Sequence, residues 1–184
     1  MSIGDAIRQA MARAAMRRGS ATLADGEIVS LTGTVVPIGD VLVAPVSGKP
    51  CVVFTAQARI FVGFGRNGRL VGKHVEVKAI PFELVATSAR VVVDPTEHRL
   101  LVPLSPSIPR SIERELAWVD SVRPPYGDPS CEEACIEPGA RIVVRGIAQR
   151  ELDETATAET GFREPPTRFR IIGDPRRPVL IDRA

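Results

Sequence analysis

The sequence predicts a mainly β protein built as a small, partly open barrel, with short helical insertions and a helix at its N-terminus. Three observations carry that fold class. The first is a ribbon from Pro50 to Ala79. Within it Val52, Phe54, Ala56, Ala58, Ile60, Val62 and Phe64 share one parity, and Val53, Thr55, Gln57, Arg59, Phe61 and Gly63 the other, the two-residue period of a half-buried strand. The second is punctuation: 16 prolines and 15 glycines beside 4% aromatic residues describe many short elements joined by turns. The third is spacing, because successive candidate strands are separated by turns and not by the dozen or more residues that a parallel crossover requires.

The elements follow in chain order. Residues 1–20 read as a basic N-terminal helix: positions 2–18 are alanine-rich, Ile3, Ile7, Ala10, Met11 and Ala14 gather on one narrow face, and Gly19-Ser20 ends it. The β body is expected as one domain over 27–182. Val29, Leu31, Gly33 and Val35 alternate with Ile28, Ser30, Thr32 and Thr34 in a first strand, and Pro37 to Asp40 turns the chain. After the ribbon's Arg66-Asn67-Gly68 turn, Val75, Val77 and Ala79 alternate with His74, Glu76 and Lys78, which predicts the valines as the covered face. Short strands are then expected at Pro81–Val85, Arg90–Asp94 and Arg99–Pro103.

A helical insertion is expected over about 105–136. Ile108, Ile112, Leu116 and Val119 stand at helical spacing behind Pro109, and the single Trp118 is placed to cap the barrel core with its ring. Ser130-Cys131-Glu132-Glu133 matches a capping box and predicts a short second helix ending at Pro138-Gly139. Arg141–Ala148, Arg168–Ile172 and Pro178–Ile181 supply the last strands, with Asp153–Pro166 as a solvent loop. Short antiparallel strands in this arrangement fit an OB-like or related barrel.

The formal net charge is only +2, and residues 1–20 account for it, with Arg8, Arg13, Arg17 and Arg18 against Asp5. A nearly neutral body has no long-range field for collecting nucleic acid, so a partner must be met through local patches. Three cysteines, an odd number, argue against a disulfide framework and for a reducing compartment. No window approaches the roughly 18 consecutive apolar residues that span a bilayer. The N-terminus also lacks the apolar core of a secretory signal, so the expected location is cytoplasmic, peripheral to a membrane at most.

Four pieces of the chain, in order, resemble a known family. They are Ser30-Leu31-Thr32-Gly33-Thr34-Val35, Pro45-Val46-Ser47-Gly48-Lys49-Pro50-Cys51-Val52, Ile80-Pro81-Phe82-Glu83-Leu84-Val85, and Glu132-Glu133 with Ile136, Pro138, Gly139, Ile142, Val144 and Gly146. Their order and spacing over about residues 27–182 are similar to the GIDE-type "beside a membrane" domain of membrane-embedded RING ubiquitin ligases and bacterial proteins. The resemblance implies a β-rich domain beside a membrane or in a membrane-protein assembly, recognising a partner. Two transmembrane helices and a cysteine/histidine zinc module complete those ligases, and this sequence contains neither, so ligase activity is not implied. The domain itself offers no catalytic residue to carry over.

Each candidate for chemistry has a plainer rival. Gly63-Phe64-Gly65-Arg66-Asn67-Gly68 satisfies the dinucleotide pattern G-x-G-x-x-G, but Arg69 leads back into a strand where that fingerprint needs a helix N-terminus. Ser47-Gly48-Lys49 fails as a phosphate loop, because Val43 and Pro50 stand where glycine and a hydroxyl are needed. Cys51, Cys131, Cys135, His74 and His98 are the only soft metal ligands, yet the paired spacing of a zinc knuckle is missing, and buried structural thiols are the simpler reading. Cys51 with His74 would make a thiol nucleophile if the imidazole lowered the thiol pKa.

The last candidate is a partner surface on the outward side of the ribbon, with Arg59, Phe61, Arg66, Arg69, Lys73 and Lys78, joined by His74. Such a face suits an acidic membrane surface or an acidic protein partner; one aromatic is too little for a nucleic-acid stacking platform. The sequence therefore points to a non-catalytic interaction module at or near a membrane. Its rivals are an oligonucleotide-binding barrel and a thiol-dependent hydrolase using Cys51.

Overall fold

Alternation becomes pairing first in β1 (Ile28–Pro37), where Val29, Leu31 and Val35 are buried on one side while Thr32 and Thr34 stay open on the other. The computed structural model describes residues 3–16, 22–62, 69–87, 89–106, 111–122, 128–153 and 167–184. Helix α1 (Ile3–Met16) precedes β1. After β1 come β2 (Leu42–Val43), β3 (Pro50–Cys51), β4 (Val53–Val62), β5 (Arg69–Ala79), β6 (Phe82–Ala86), β7 (Arg90–Val93) and β8 (His98–Leu100). Helix α2 (Ile112–Val122), β9 (Asp128–Ile136), β10 (Arg141–Leu152), β11 (Thr167–Ile172) and β12 (Val179–Arg183) complete the chain.

The chain divides into two compact units where one domain over 27–182 was expected. The first comprises Met1–Gly39, Ile80–Leu101 and Gly139–Ala184, and the second Asp40–Ala79 and Val102–Pro138. In the first, β1 pairs with both β6 and β10, so the run β1-β6-β7-β11-β10 returns on itself and closes a five-stranded barrel. Counted along the chain, these strands pair in the order one-two-three-five-four-one, with the third and fifth parallel, which is the OB topology. The barrel is closed where a partly open one was expected. β12 and β8 extend the sheet beyond β10, β12 antiparallel to β10 and β8 parallel to β12.

The barrel core is aliphatic around one aromatic, Phe82: Val29, Leu31, Leu84, Val91, Val93, Ile142, Val144, Ile171 and Ile181 are buried with it. Gly146 belongs to this inner parity because a side chain there has no room. A Cβ on it would lie 2.5 Å from the Ile171 methyl and 2.8 Å from the Ile172 carbonyl oxygen.

In the second unit β4 is the middle of a three-stranded antiparallel sheet, β5-β4-β9, and β2 pairs with β3. Its core collects small groups, including Ala44, Ala56, Ala58, Cys51, Cys131 and Cys135, around Phe54, Trp118 and Val119. Ser111 caps α2, its hydroxyl accepting the Arg114 N–H at 3.4 Å, with Glu113 and Glu115 in the first turn where the helix dipole favours acids.

Four local expectations are corrected here. Cys131–Ile136 is not a second helix but most of β9, because pairing with β4 along its whole length satisfies the backbone that a capping box would serve only at one end. On α2 the covered residues are Glu115, Trp118 and Val119, while Ile112 and Leu116 are 61% and 39% exposed. Trp118, expected to cap the barrel core, belongs to the core cluster of the second unit. On β5 the face is reversed: Val75 and Val77 are 45% and 50% exposed, and His74 and Glu76 lie on the side of Ala58 and Ala56, their register partners.

Candidate functional site

The partner surface read along the ribbon does not assemble on one face. Arg59 and Lys73 are register partners and share a side of the sheet with Val75 and Val77, whereas Lys78 lies opposite Phe54 on the other side, with His74. Phe61 is half-buried and faces Leu70 after a bulge in the ladder, next to Arg69 on β5; Arg66 lies outside the described residues, as does the whole Gly63–Gly68 loop. Two of the cations are also neutralised. Arg59 donates to the Glu132 carboxylate at 2.5 Å, and Lys78 pairs with Glu76 at 2.7 Å. Arg69 and Lys73 remain as exposed charges. The strand that follows the glycine loop, β5, is the return arm of an antiparallel hairpin, so no helix N-terminus is available there for a pyrophosphate.

His74 and Trp118 form an edge-to-face pair with ring centres 5.6 Å apart, and the indole N–H donates to Glu76 at 2.8 Å. Hydrogen bonds from Lys78 and Trp118 hold the Glu76 carboxyl below its ordinary range. The polar parity of β5 thus faces inward with the Glu76 carboxylate hydrogen-bonded and the His74 ring against Trp118, its Nε2 buried without a hydrogen-bond partner among the described residues.

The three cysteines are free thiols and all buried. Burial pushes the Cys51 thiol up to about 12, and the nearby Cys135, Glu133 and Glu137 add to the rise because each opposes a thiolate. A thiol so held carries no nucleophile at neutral pH. His98 lies in the other unit from these thiols, its Nδ1 2.6 Å from the Pro95 carbonyl. Among the described residues no three His, Cys, Asp or Glu side chains converge as metal ligands.

Glu133, read from the sequence as the end of a capping box, is instead an inward-facing acid of β9. Cys131, Glu133 and Cys135 share one parity of β9, and Glu133 is 6% exposed. Its carboxylate accepts the Val46 N–H at 2.9 Å, the Ser47 N–H at 3.4 Å and the Ser47 hydroxyl at 2.5 Å, fixing the turn that Gly48 completes with φ of 72°. Two of the pieces quoted for the family resemblance thus meet at one hydrogen-bonded point. The signal in the sequence was an acid on the apolar parity of a Cys-x-x-x-Cys segment.

The N-terminal helix packs through residues other than the narrow apolar face read from its sequence. Ala12, Ala15 and Met16 lie against Leu101, Leu180 and Val143. Arg13 donates from Nε to Asp182 at 3.1 Å and from Nη2 to the Leu101 carbonyl at 3.0 Å. The Met16 carbonyl, at the helix end, accepts the Ser30 hydroxyl at 2.6 Å. Ile7 and Met11, one turn apart, are left 55% and 68% exposed, with Ala10 and Ala14 open beside them.

Compared with models of known protein families, with curated proteins and with solved structures, the chain matches none. The class to which fold and site lead is thus an OB-like barrel with a second, layered β unit carried on two excursions of the chain and a docked helix at its N-terminus.

Proposed function

We propose that this chain is a non-catalytic interaction module acting at an acidic membrane surface, with the exposed edge of α1 as the docking element. One observation carries the reading: α1 is fastened along one side by Ala12, Ala15, Met16 and Arg13, while Ile7 and Met11, one turn apart, are left 55% and 68% exposed. A helix held for stability alone would not leave two large apolar residues of one ridge in water. The neighbouring Arg8, Arg17 and Arg18 of the sequence add attraction for anionic headgroups, worth about 1 kcal/mol each near such a surface. Two large apolar side chains give shallow, reversible binding, so the contact depends on charge and weakens with salt. The resemblance to a domain found beside membranes supports the same reading. Among the described residues no helix is long and apolar enough to cross a membrane.

The OB topology favours one rival, an oligonucleotide site. Against it, the outward parity of β6 and β7 carries Glu83, Val85, Arg90 and the buried Val92 without an aromatic, Arg90 is paired with Glu83 at 3.4 Å, and the adjacent Arg168 and Arg170 are bound to Glu151. The hydrolase reading has no ionised thiol at its disposal.

Co-sedimentation of the full chain with phosphatidylcholine vesicles containing phosphatidylserine tests the proposal. Binding should appear on the anionic vesicles only, fall as salt is raised, and drop several-fold with Ile7→Asp. A chain that stays in the supernatant, or sediments equally well without residues 1–20, overturns it.

A further inference from the structure

Beside α1 the barrel unit carries a cleft of about 400 Å³ lined by four arginines, Arg99, Arg145, Arg176 and Arg177. We infer that this cleft binds a phosphorylated group carrying at least two negative charges.

The floor is a row across three neighbouring strands. Arg145 of β10 stands opposite Leu180 of β12, and Leu180 opposite Arg99 of β8, so both guanidiniums rise from the same face of the sheet on either side of one leucine. One wall is α1, through Met11 and Ala12. The other is the turn after Gly173, where the Asp174 carboxylate accepts the N–H groups of Arg176 and Arg177 at 2.8 and 2.7 Å and so fixes the backbone that presents these two side chains. The four cations come from three separate stretches of chain and meet only because the sheet and the turn are rigid.

Several arginines elsewhere in this unit have carboxylate partners. Arg13 has Asp182, and Arg168 and Arg170 share Glu151. In the cleft no carboxylate is part of the lining. Among the described residues only Arg177 has an acidic partner, Asp174 at 3.7 Å, and that pair is mostly exposed. Arg145 is the most constrained: its Nε is buried without a hydrogen-bond partner among the described residues. A buried guanidinium N–H without an acceptor, within a group of like charges, is costly unless an anion completes it. Guanidinium forks match the oxygens of phosphate two at a time, which suits four of them to a ligand with several phosphate oxygens. Met11, Ala12 and Leu180 offer an apolar wall to whatever the phosphate is attached to.

The inference shares Met11 with the membrane reading but stands on other residues, and the phosphate has two sources, a lipid headgroup or a soluble phosphate compound. Calorimetric titration of the full chain with inorganic pyrophosphate, paired with co-sedimentation on phosphatidylcholine vesicles containing phosphatidic acid, separates them. Saturable pyrophosphate binding is expected, weakened about tenfold for each arginine removed in Arg99→Gln and Arg145→Gln. Arg150→Gln, on a guanidinium stacked over Phe169 and outside the cleft, should leave it unchanged. Arg176→Gln with Arg177→Gln, on the exposed turn, repeats the test if the strand variants unfold. Vesicle binding lost with the same arginines identifies the lipid source; pyrophosphate binding without vesicle binding identifies the soluble source and sinks the membrane reading. Absence of binding to either probe, or binding that survives all four substitutions, overturns the inference. Vesicle binding that is abolished by Ile7→Asp yet indifferent to the arginines leaves the membrane reading standing and removes the cleft.

Discussion

The two units solve the burial problem in opposite ways. The barrel closes its ladder on itself, so its five strands have no free edge, and its interior is filled by large aliphatic groups and Phe82. The second unit has three strands in one sheet, with β5 at one edge, and a core of alanine and cysteine too small to fill the space by itself. Polar groups complete it: Glu133 ties the turn at Val46-Ser47, and Trp118 joins the cluster with its N–H on Glu76. A closed barrel can rely on packing, whereas an open sheet with small residues needs specific hydrogen bonds to define one arrangement.

The comparison is tested hardest where packing is everything. Phe82 is the largest fully buried side chain of the barrel. Phe82→Ala should cost about 3–5 kcal/mol, seen as a shift of the chemical denaturation midpoint. A loss below about 1 kcal/mol would mean that the barrel interior tolerates a cavity and that its strength lies elsewhere.

Next in size is the polar anchor of the second unit. Glu133→Ala removes the acceptor for two backbone N–H groups and a hydroxyl, one of the amides fully buried, and should cost about 1–3 kcal/mol. Ser47→Ala deletes only the hydroxyl and should cost less. Equal, negligible losses in both variants, measured by hydrogen exchange at Val46, would dissolve the contrast between the units.

How much of this could be read from residues alone follows the same divide. The barrel strands were legible because each buries one parity and ends at a turn: Val29, Leu31 and Val35 in β1 and Ile142, Val144 and Ala148 in β10 announce themselves. In the second unit periodicity showed two faces of β5 but not which one is covered. A tryptophan from α2 lies over the His74 and Glu76 side and leaves Val75 and Val77 outside. The Ser-x-x-Glu pattern within β9 misled because a serine and a glutamate three apart are equally at home in a strand whose glutamate has an acceptor role elsewhere. The arginine cleft was illegible for a different reason. Arg99 and Arg145 become neighbours only through β12, and no local pattern says which strands a sheet places side by side.

A pH scan sharpens the comparison from the barrel side. Burial depresses the His98 imidazole below its ordinary value, partly opposed by its hydrogen bond to the Pro95 carbonyl, and Nε2 is buried without a partner among the described residues. Above about pH 6.5 the ring is neutral folded and unfolded, and it contributes no slope. Below that value the unfolded chain takes up a proton that the folded barrel refuses, so stability falls with falling pH until the folded pKa is passed. The Glu151 carboxyl, lowered by Arg170 and Arg168, adds its own loss only at more acid pH, from about 4.3 downward. His98→Gln should therefore flatten the fall of the denaturation midpoint just below about pH 6.5 while leaving the steeper acid limb; an unchanged slope would show that His98 titrates normally.

The smallest effect is expected where the ribbon looked most like core. Val75 and Val77 alternate as buried residues do, yet half of each side chain is in water. Val77→Thr keeps the β-branched shape that suits a strand and removes only a partly wetted methyl, so the stability change should stay within about 0.5 kcal/mol. The same substitution at Val144, fully buried in the barrel, places an unpaired hydroxyl among aliphatic groups and should cost about 1–3 kcal/mol. Because the two changes are chemically identical, their difference measures burial alone. Equal losses at the two positions would mean that some further element covers the valine face of β5 in solution, and the open sheet would then have to be counted as closed.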